Sequence, residues 1–119
     1  MPPREFATFT EFWTYYVGEH THVGNRALHY IGFVAALACL VTAGVTQTWL
    51  PLACAPLAGY AFAWMGHALI EGNRPATWGW PAWSLVAEIK MVGLAGLGRM
   101  RAEVERVRRQ TARVRRARA

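Results

Sequence analysis

YIGFVAALACLVTAGVTQTWLPLACAPLAGYAFAWMG, Tyr30–Gly66, contains no Asp, Glu, Lys, Arg or His. Near its middle, TQTWLP (Thr46–Pro51) has the polar residues and proline of a turn. On either side lies an apolar run, Tyr30–Val45 and then roughly Leu50–Ile70. A helix needs about 20 residues to cross a hydrocarbon core, and about 17 suffice. The first run is marginal by that measure and the second adequate. Two buried helices of a soluble bundle would resemble this pattern, but they rarely lack charge over such a length. The expected fold is therefore all-α: a small integral membrane helical protein, a transmembrane hairpin with flanking amphipathic or short helices.

Outward from the hairpin the composition changes on both sides. The chain has 119 residues, room for one domain, with 54% hydrophobic and 17% charged residues and a net charge of +6. That charge is concentrated at one end. Residues 1–98 hold four basic and five acidic side chains, whereas residues 99–119 hold nine arginines and two glutamates. The division expected is a membrane-embedded helical domain over 1–98 and an Arg-rich tail over 99–119, helical for its first turns and frayed after. Upstream, EFATFTEFWTYYV (Glu5–Val17) sets Phe6, Phe9, Phe12, Trp13 and Tyr16 at helical spacing. Such a face suits the headgroup region, with burial against a core as the competing reading. Downstream, EGNRPATWGWPA (Glu71–Ala82) is a Pro/Gly/Trp-rich loop. Ser84–Met100 follows as a short third helix, lying in the interface or packed beside the hairpin. Cys39 and Cys54 lack zinc or CxxC spacing and read as small buried hydrophobes.

The N-terminal MPPREFATF has no signal-peptide pattern. Basic residues mark the cytoplasmic side of a membrane. Arg4 and Arg26 precede the hairpin, Arg74, Lys90 and the tail follow it, and the turn carries no charge. Both termini are expected in the cytoplasm, at a bacterial inner membrane.

Three of the four histidines lie in GEHTHVGNRALHYIG (Gly18–Gly32), before the first run, and His67 lies near the end of the second. The hairpin thus carries His20, His29 and His67 to one level. His67-Ala-Leu-Ile-Glu71 adds a carboxylate four residues on, the spacing of one helical face. That carboxylate could ligate a metal or orient an imidazole. Neutral imidazoles with a carboxylate suit iron, zinc or copper, and spacing alone does not choose among them.

YYVGEHTHVGNRALHYIGF (Tyr15–Phe33) and GYAFAWMGHALIEGNRPATW (Gly59–Trp78) carry H-x4-N-R-x2-H before one span and G-H-x3-E-x3-P-A after another. With these motifs the chain resembles a membrane family of Fe(II)-dependent 2-hydroxy fatty acid dioxygenases, over roughly residues 10–92. The resemblance implies an Fe(2+) cofactor held by His20, His29 and His67. Read from the residues, Glu71 is the catalytic candidate, as ligand or neighbouring acceptor, and His22, outside the motif, could join a four-histidine site. It also implies O2-dependent shortening of a 2-hydroxy fatty acid by one carbon. Arg26 or Arg74 could bind the carboxylate, beside Asn25 of the motif.

Two other readings fit the same residues. One is a non-enzymatic membrane adaptor with structural histidines and a basic recruitment tail. The other is a zinc-dependent membrane hydrolase. The tail's arginines suit anionic lipid headgroups. Without aromatic interleaving, nucleic acid is not the expected partner. Removing the tail is expected to weaken orientation and leave metal content intact.

Overall fold

The computed structural model describes residues 5–119, so Arg4 of the charge argument lies outside the described residues. Among the described residues there are five α-helices and no strand. Backbone contacts divide the chain into two compact units, His22–Pro75 and Met1–Thr21 with Ala76–Ala119.

The unit His22–Pro75 is the hairpin. Helix α2 spans Val23–Thr46 and helix α3 spans Leu50–Gly66, continued by a wider turn over His67–Glu71. Helix α2 starts well before the apolar run because His22 caps it, its Nδ1 accepting the Gly24 N–H at 2.9 Å. Asn25, Arg26 and His29 are therefore helical, and the first span reaches 24 residues rather than a marginal length. Pro51 sits in the first turn of α3, where its missing N–H costs nothing. Pro56 lies inside α3 and removes one rung of its hydrogen-bond ladder.

The two helices approach closely where side chains are missing. A Cβ on Gly32 would lie 3.0 Å from both the Gly59 carbonyl oxygen and the Phe62 Cβ. A Cβ on Gly66 would collide with Asn25 Oδ1. Small residues at such crossings let helix backbones pack by van der Waals contact, as in membrane bundles. Away from the crossing, Ile31, Val34, Leu37, Val41 and Val45 of α2 and Leu57 and Trp64 of α3 are exposed. Only 11% and 17% of the apolar windows in α2 and in the extended α3 are buried within the chain. Core helices of a soluble bundle would be mostly buried. Both are long and apolar enough to cross a membrane. Cys39 is half-buried and Cys54 exposed, both as free thiols, so the expectation of burial fails for Cys54.

The other unit contains α1 (Phe9–Gly18), α4 (Pro81–Gly96) and α5 (Met100–Arg118). Thr8 caps α1, its Oγ1 accepting the Glu11 N–H at 3.2 Å. The aromatic face of α1 turns inward, leaving Phe12, Trp13, Tyr16 and Val17 at most 2% exposed. That overturns the headgroup reading of this helix, and the polar ends of its rings explain why. Trp13 Nε1 donates to Glu103 Oε1 at 2.7 Å, and Tyr16 OH donates to Glu88 Oε2 at 2.6 Å. The Lys90 ammonium stands 4.4 Å from the centre of the Trp13 ring. Phe12 packs near the Trp80 and Trp83 rings at 5.9 and 5.4 Å.

The arginine-rich end does not fray. It is helical to Arg118, with Met100, Val104 and Val107 buried at helical spacing. Expected as a tail beginning at residue 99, it packs in the same unit as α1 and α4. Gly98, at φ 71°, supplies the left-handed residue that ends α4 before α5 begins.

Candidate metal centre

His29 and His67 meet inside the hairpin. His29 lies on the second turn of α2 and His67 immediately follows Gly66 at the end of α3. Both are buried, with their Nε2 atoms 3.2 Å apart and their rings edge-on at 89°. Asn25, one turn before His29, packs on the bare Cα of Gly66, so the helix crossing itself sets this meeting.

The backbone widens just after His67. The Gly72 N–H donates to the His67 carbonyl at 2.8 Å, a five-residue step in place of four. Gly72 then adopts φ 71°, and the chain folds back. This fold brings Asn73 to His67, its Oδ1 2.5 Å from His67 Nδ1. A carbonyl oxygen only accepts, so Nδ1 carries the proton and Nε2 keeps its lone pair.

His20 belongs to the other unit and repeats the arrangement. It is 1% exposed, and its Nδ1 donates to the Tyr16 carbonyl at 2.6 Å. The Tyr16 ring stacks on it at 4.0 Å. Here too the proton is fixed on Nδ1 and the lone pair on Nε2. A metal-binding histidine ordinarily donates its second nitrogen to such a carbonyl, which sets the tautomer and raises basicity.

The donor chemistry therefore fits a transition metal. Within the hairpin, His29 and His67 are the buried imidazoles that could hold one, and in its own unit His20 is buried with the same tautomer. The His29–His67 nitrogen separation is that of two donors in one coordination sphere with bonds of about 2.1 Å. Among the described residues no thiolate or hard oxygen cage joins them, and an imidazole donor set disfavours calcium and magnesium.

The remaining sequence candidates are placed differently. The exposed His22 uses its Nδ1 as the cap of α2. Its backbone N–H donates to Glu71 Oε1 at 2.6 Å, so that carboxylate oxygen braces the start of α2. The expected single α-helical face for His67 and Glu71 is replaced by the widened turn. Arg26 is 8% exposed and Arg74 is exposed. Asn25 is fully buried, and neither its Oδ1 nor its Nδ2 has a hydrogen-bond partner.

Two supporting groups were beyond sequence reading. Asn73 stands six residues after His67, a spacing no helical period marks, and the Gly72-Asn73 pair was its only turn signal. The Tyr16 carbonyl is backbone and leaves no trace in the sequence.

An all-helical chain with two potential membrane spans and a buried histidine donor set is the class defined so far. Residues 6–100 match the family model Mpo1-like, described as 2-hydroxy-palmitic acid dioxygenase Mpo1-like, and the chain belongs to that family. No curated protein and no solved structure matches it.

Proposed function

We propose that this chain is an integral membrane, Fe(II)-dependent dioxygenase that shortens 2-hydroxy fatty acids by one carbon. The observation that carries the reading is the His29–His67 pair, with Nε2 atoms 3.2 Å apart and His67 Nδ1 held by Asn73, in a chain of the Mpo1-like family. His20, His29 and His67 would hold the metal, with the Nδ1 proton of His20 and His67 fixed by their carbonyl partners. Fe(II) held there would supply one-electron redox chemistry toward O2.

The overall reaction balances with one O2. The C1–C2 bond of the 2-hydroxy acid breaks, giving the acid one carbon shorter, carbon dioxide and water. The protein's part is to hold the two ends of the substrate in different media. The acyl chain suits the apolar outer faces of α2 and α3, and the carboxylate needs a cation. Arg26, buried three residues before His29, is the better-placed guanidinium for it, with exposed Arg74 as the second. Asn25 offers an amide whose buried donor and acceptor both lack protein partners. Leaving such groups unpaired costs about 1–3 kcal/mol. A substrate carboxylate would accept from Nδ2, and a substrate hydroxyl would donate to Oδ1. Glu71 acts through the start of α2, which it braces at His22.

The same site would serve a zinc hydrolase, and a metal-free chain would serve as an adaptor. Protein purified anaerobically without chelator separates the three. The dioxygenase contains about one iron per chain and consumes oxygen on addition of 2-hydroxy acids. Zinc with oxygen-independent turnover would mean the hydrolase, and no metal in a folded protein the adaptor.

A further inference from the structure

Helix α4 has an outer face that the iron chemistry does not use. Its buried side is Ser84, Ala87 and Met91. Opposite lie Ala82, Leu85, Val86, Ile89, Gly93 and Leu97, all exposed and all apolar. Leu85, Val86, Ile89 and Leu97 are 62%, 52%, 53% and 70% exposed. Single exposed apolar residues are ordinary, but a row of them along a whole helix marks a contact surface. Both charges of α4 are turned toward its own unit, Glu88 accepting from Tyr16 OH and Lys90 lying over the Trp13 ring.

We infer that α4 lies flat in the headgroup–acyl boundary of an anionic bilayer, with the arginines of α5 on the lipid phosphates. Length and ends both favour this orientation. Sixteen residues rise roughly 24 Å, short of the about 30 Å of a hydrocarbon core. Both ends of α4 also carry groups that belong at the interface. Trp78, 59% exposed, stands just before it, and Arg99 and Arg101 stand just after Leu97. A helix pointing into the bilayer could keep only one of those ends at the headgroups, and an in-plane helix keeps both. The charge is complementary. Beyond Glu105, α5 carries seven arginines and no acidic residue, and Arg108, Arg109, Arg113, Arg115, Arg116 and Arg118 are exposed. Each basic residue near an anionic surface contributes about 1 kcal/mol. The two candidate spans of the same chain deliver α4 to a membrane, which favours lipid over a soluble partner as its occupant.

The test uses full-length protein in bilayers with both thiols removed (Cys39→Ala, Cys54→Ala) and one nitroxide per variant. Labels enter at Leu85→Cys, Ile89→Cys or Leu97→Cys on α4, and at Gln110→Cys on α5. The in-plane arrangement gives all three α4 labels an oxygen-over-nickel-chelate accessibility several-fold above the Gln110 label, at one common depth. A steady change of depth from 85 to 97, which a transverse helix would spread over roughly 18 Å, overturns it. So do water-exposed α4 labels, or spin–spin broadening between copies, which would make the face a homodimer contact. Replacing anionic by zwitterionic lipid, or adding salt, should mobilise the Gln110 label. An unchanged spectrum overturns the phosphate half. Iron content of the same samples separates these results from the dioxygenase reading.

Discussion

His67 could ligate a metal through Nε2 only if its proton stays on Nδ1, and the Asn73 Oδ1 acceptor is placed to keep it there. Removing the ligand and removing its partner should therefore differ in degree. His67→Ala is expected to abolish iron binding, whereas Asn73→Ala should weaken it by about 10–100-fold, as loss of a ligand's partner does. Metal titration monitored alongside helical circular dichroism checks both, and equal effects would refute the assigned role of Asn73. Gly66 makes a second residue-scale case. A methyl group there would meet Asn25 Oδ1, and overpacking of this kind costs about 1–3 kcal/mol. Gly66→Ala should lower the melting temperature in detergent, and Asn25→Ala in the same chain should restore part of it. The approach of His29 to His67 could be read from the sequence because the turn at 46–51 folds one run back on the other. The role of Asn73 could not, because it needs a five-residue backbone step that no α-helical periodicity reveals.

At the scale of elements, α5 changes meaning. Counting arginines makes residues 99–119 a solvated appendage, yet Met100, Val104 and Val107 recur at spacings of four and three and are buried. The polar link is Trp13 Nε1 to Glu103, whose carboxylate also pairs with Arg106 at 2.6 Å. Truncation after Gln110 should therefore leave thermal stability nearly unchanged, while truncation after Gly98 should cost several kcal/mol. Each fully buried apolar side chain of this size contributes about 1.5–3 kcal/mol. Thermal melts of the two truncations check this, and equal melting temperatures would return α5 to the status of a loose tail. The expectation that metal content survives removal of everything after residue 98 then applies to the shorter truncation. Acid should loosen the same joint. The Arg106 hydrogen bond, with help from Trp13, holds the Glu103 carboxyl below its ordinary value. A depressed carboxyl contributes stability above its unfolded pKa and loses it as pH falls through the folded one. The contribution is modest because Glu103 is partly solvated. Amide exchange in α5 should rise on acidification, and Glu103→Gln should flatten that response.

For the whole molecule, charge and hydropathy together make a prediction about sidedness. The uncharged stretch Tyr30–Gly66 makes both candidate spans fit for hydrocarbon, and Thr46–Pro51 between them offers no basic residue to retain on the cytoplasmic face. Every arginine, and Lys90, falls outside that stretch. If cations are retained on the cytoplasmic side, the turn is expected across the membrane and the tail behind it. The two candidate spans were legible from composition, because a membrane span must satisfy its backbone internally and so shows as one continuous apolar run. What composition could not show was the grouping of residues 5–21 with 76–119, which depends on Trp13 and Tyr16 finding carboxylates about 70 to 90 positions away. In a thiol-free background, Thr48→Cys should react with an impermeant maleimide from outside intact cells, and Gln110→Cys only after the membrane is opened. Both thiols reacting from one side would leave α2 and α3 short of a crossing. The reverse pattern would keep the crossing and invert it, placing the arginines of α5 where the positive-inside rule puts fewest.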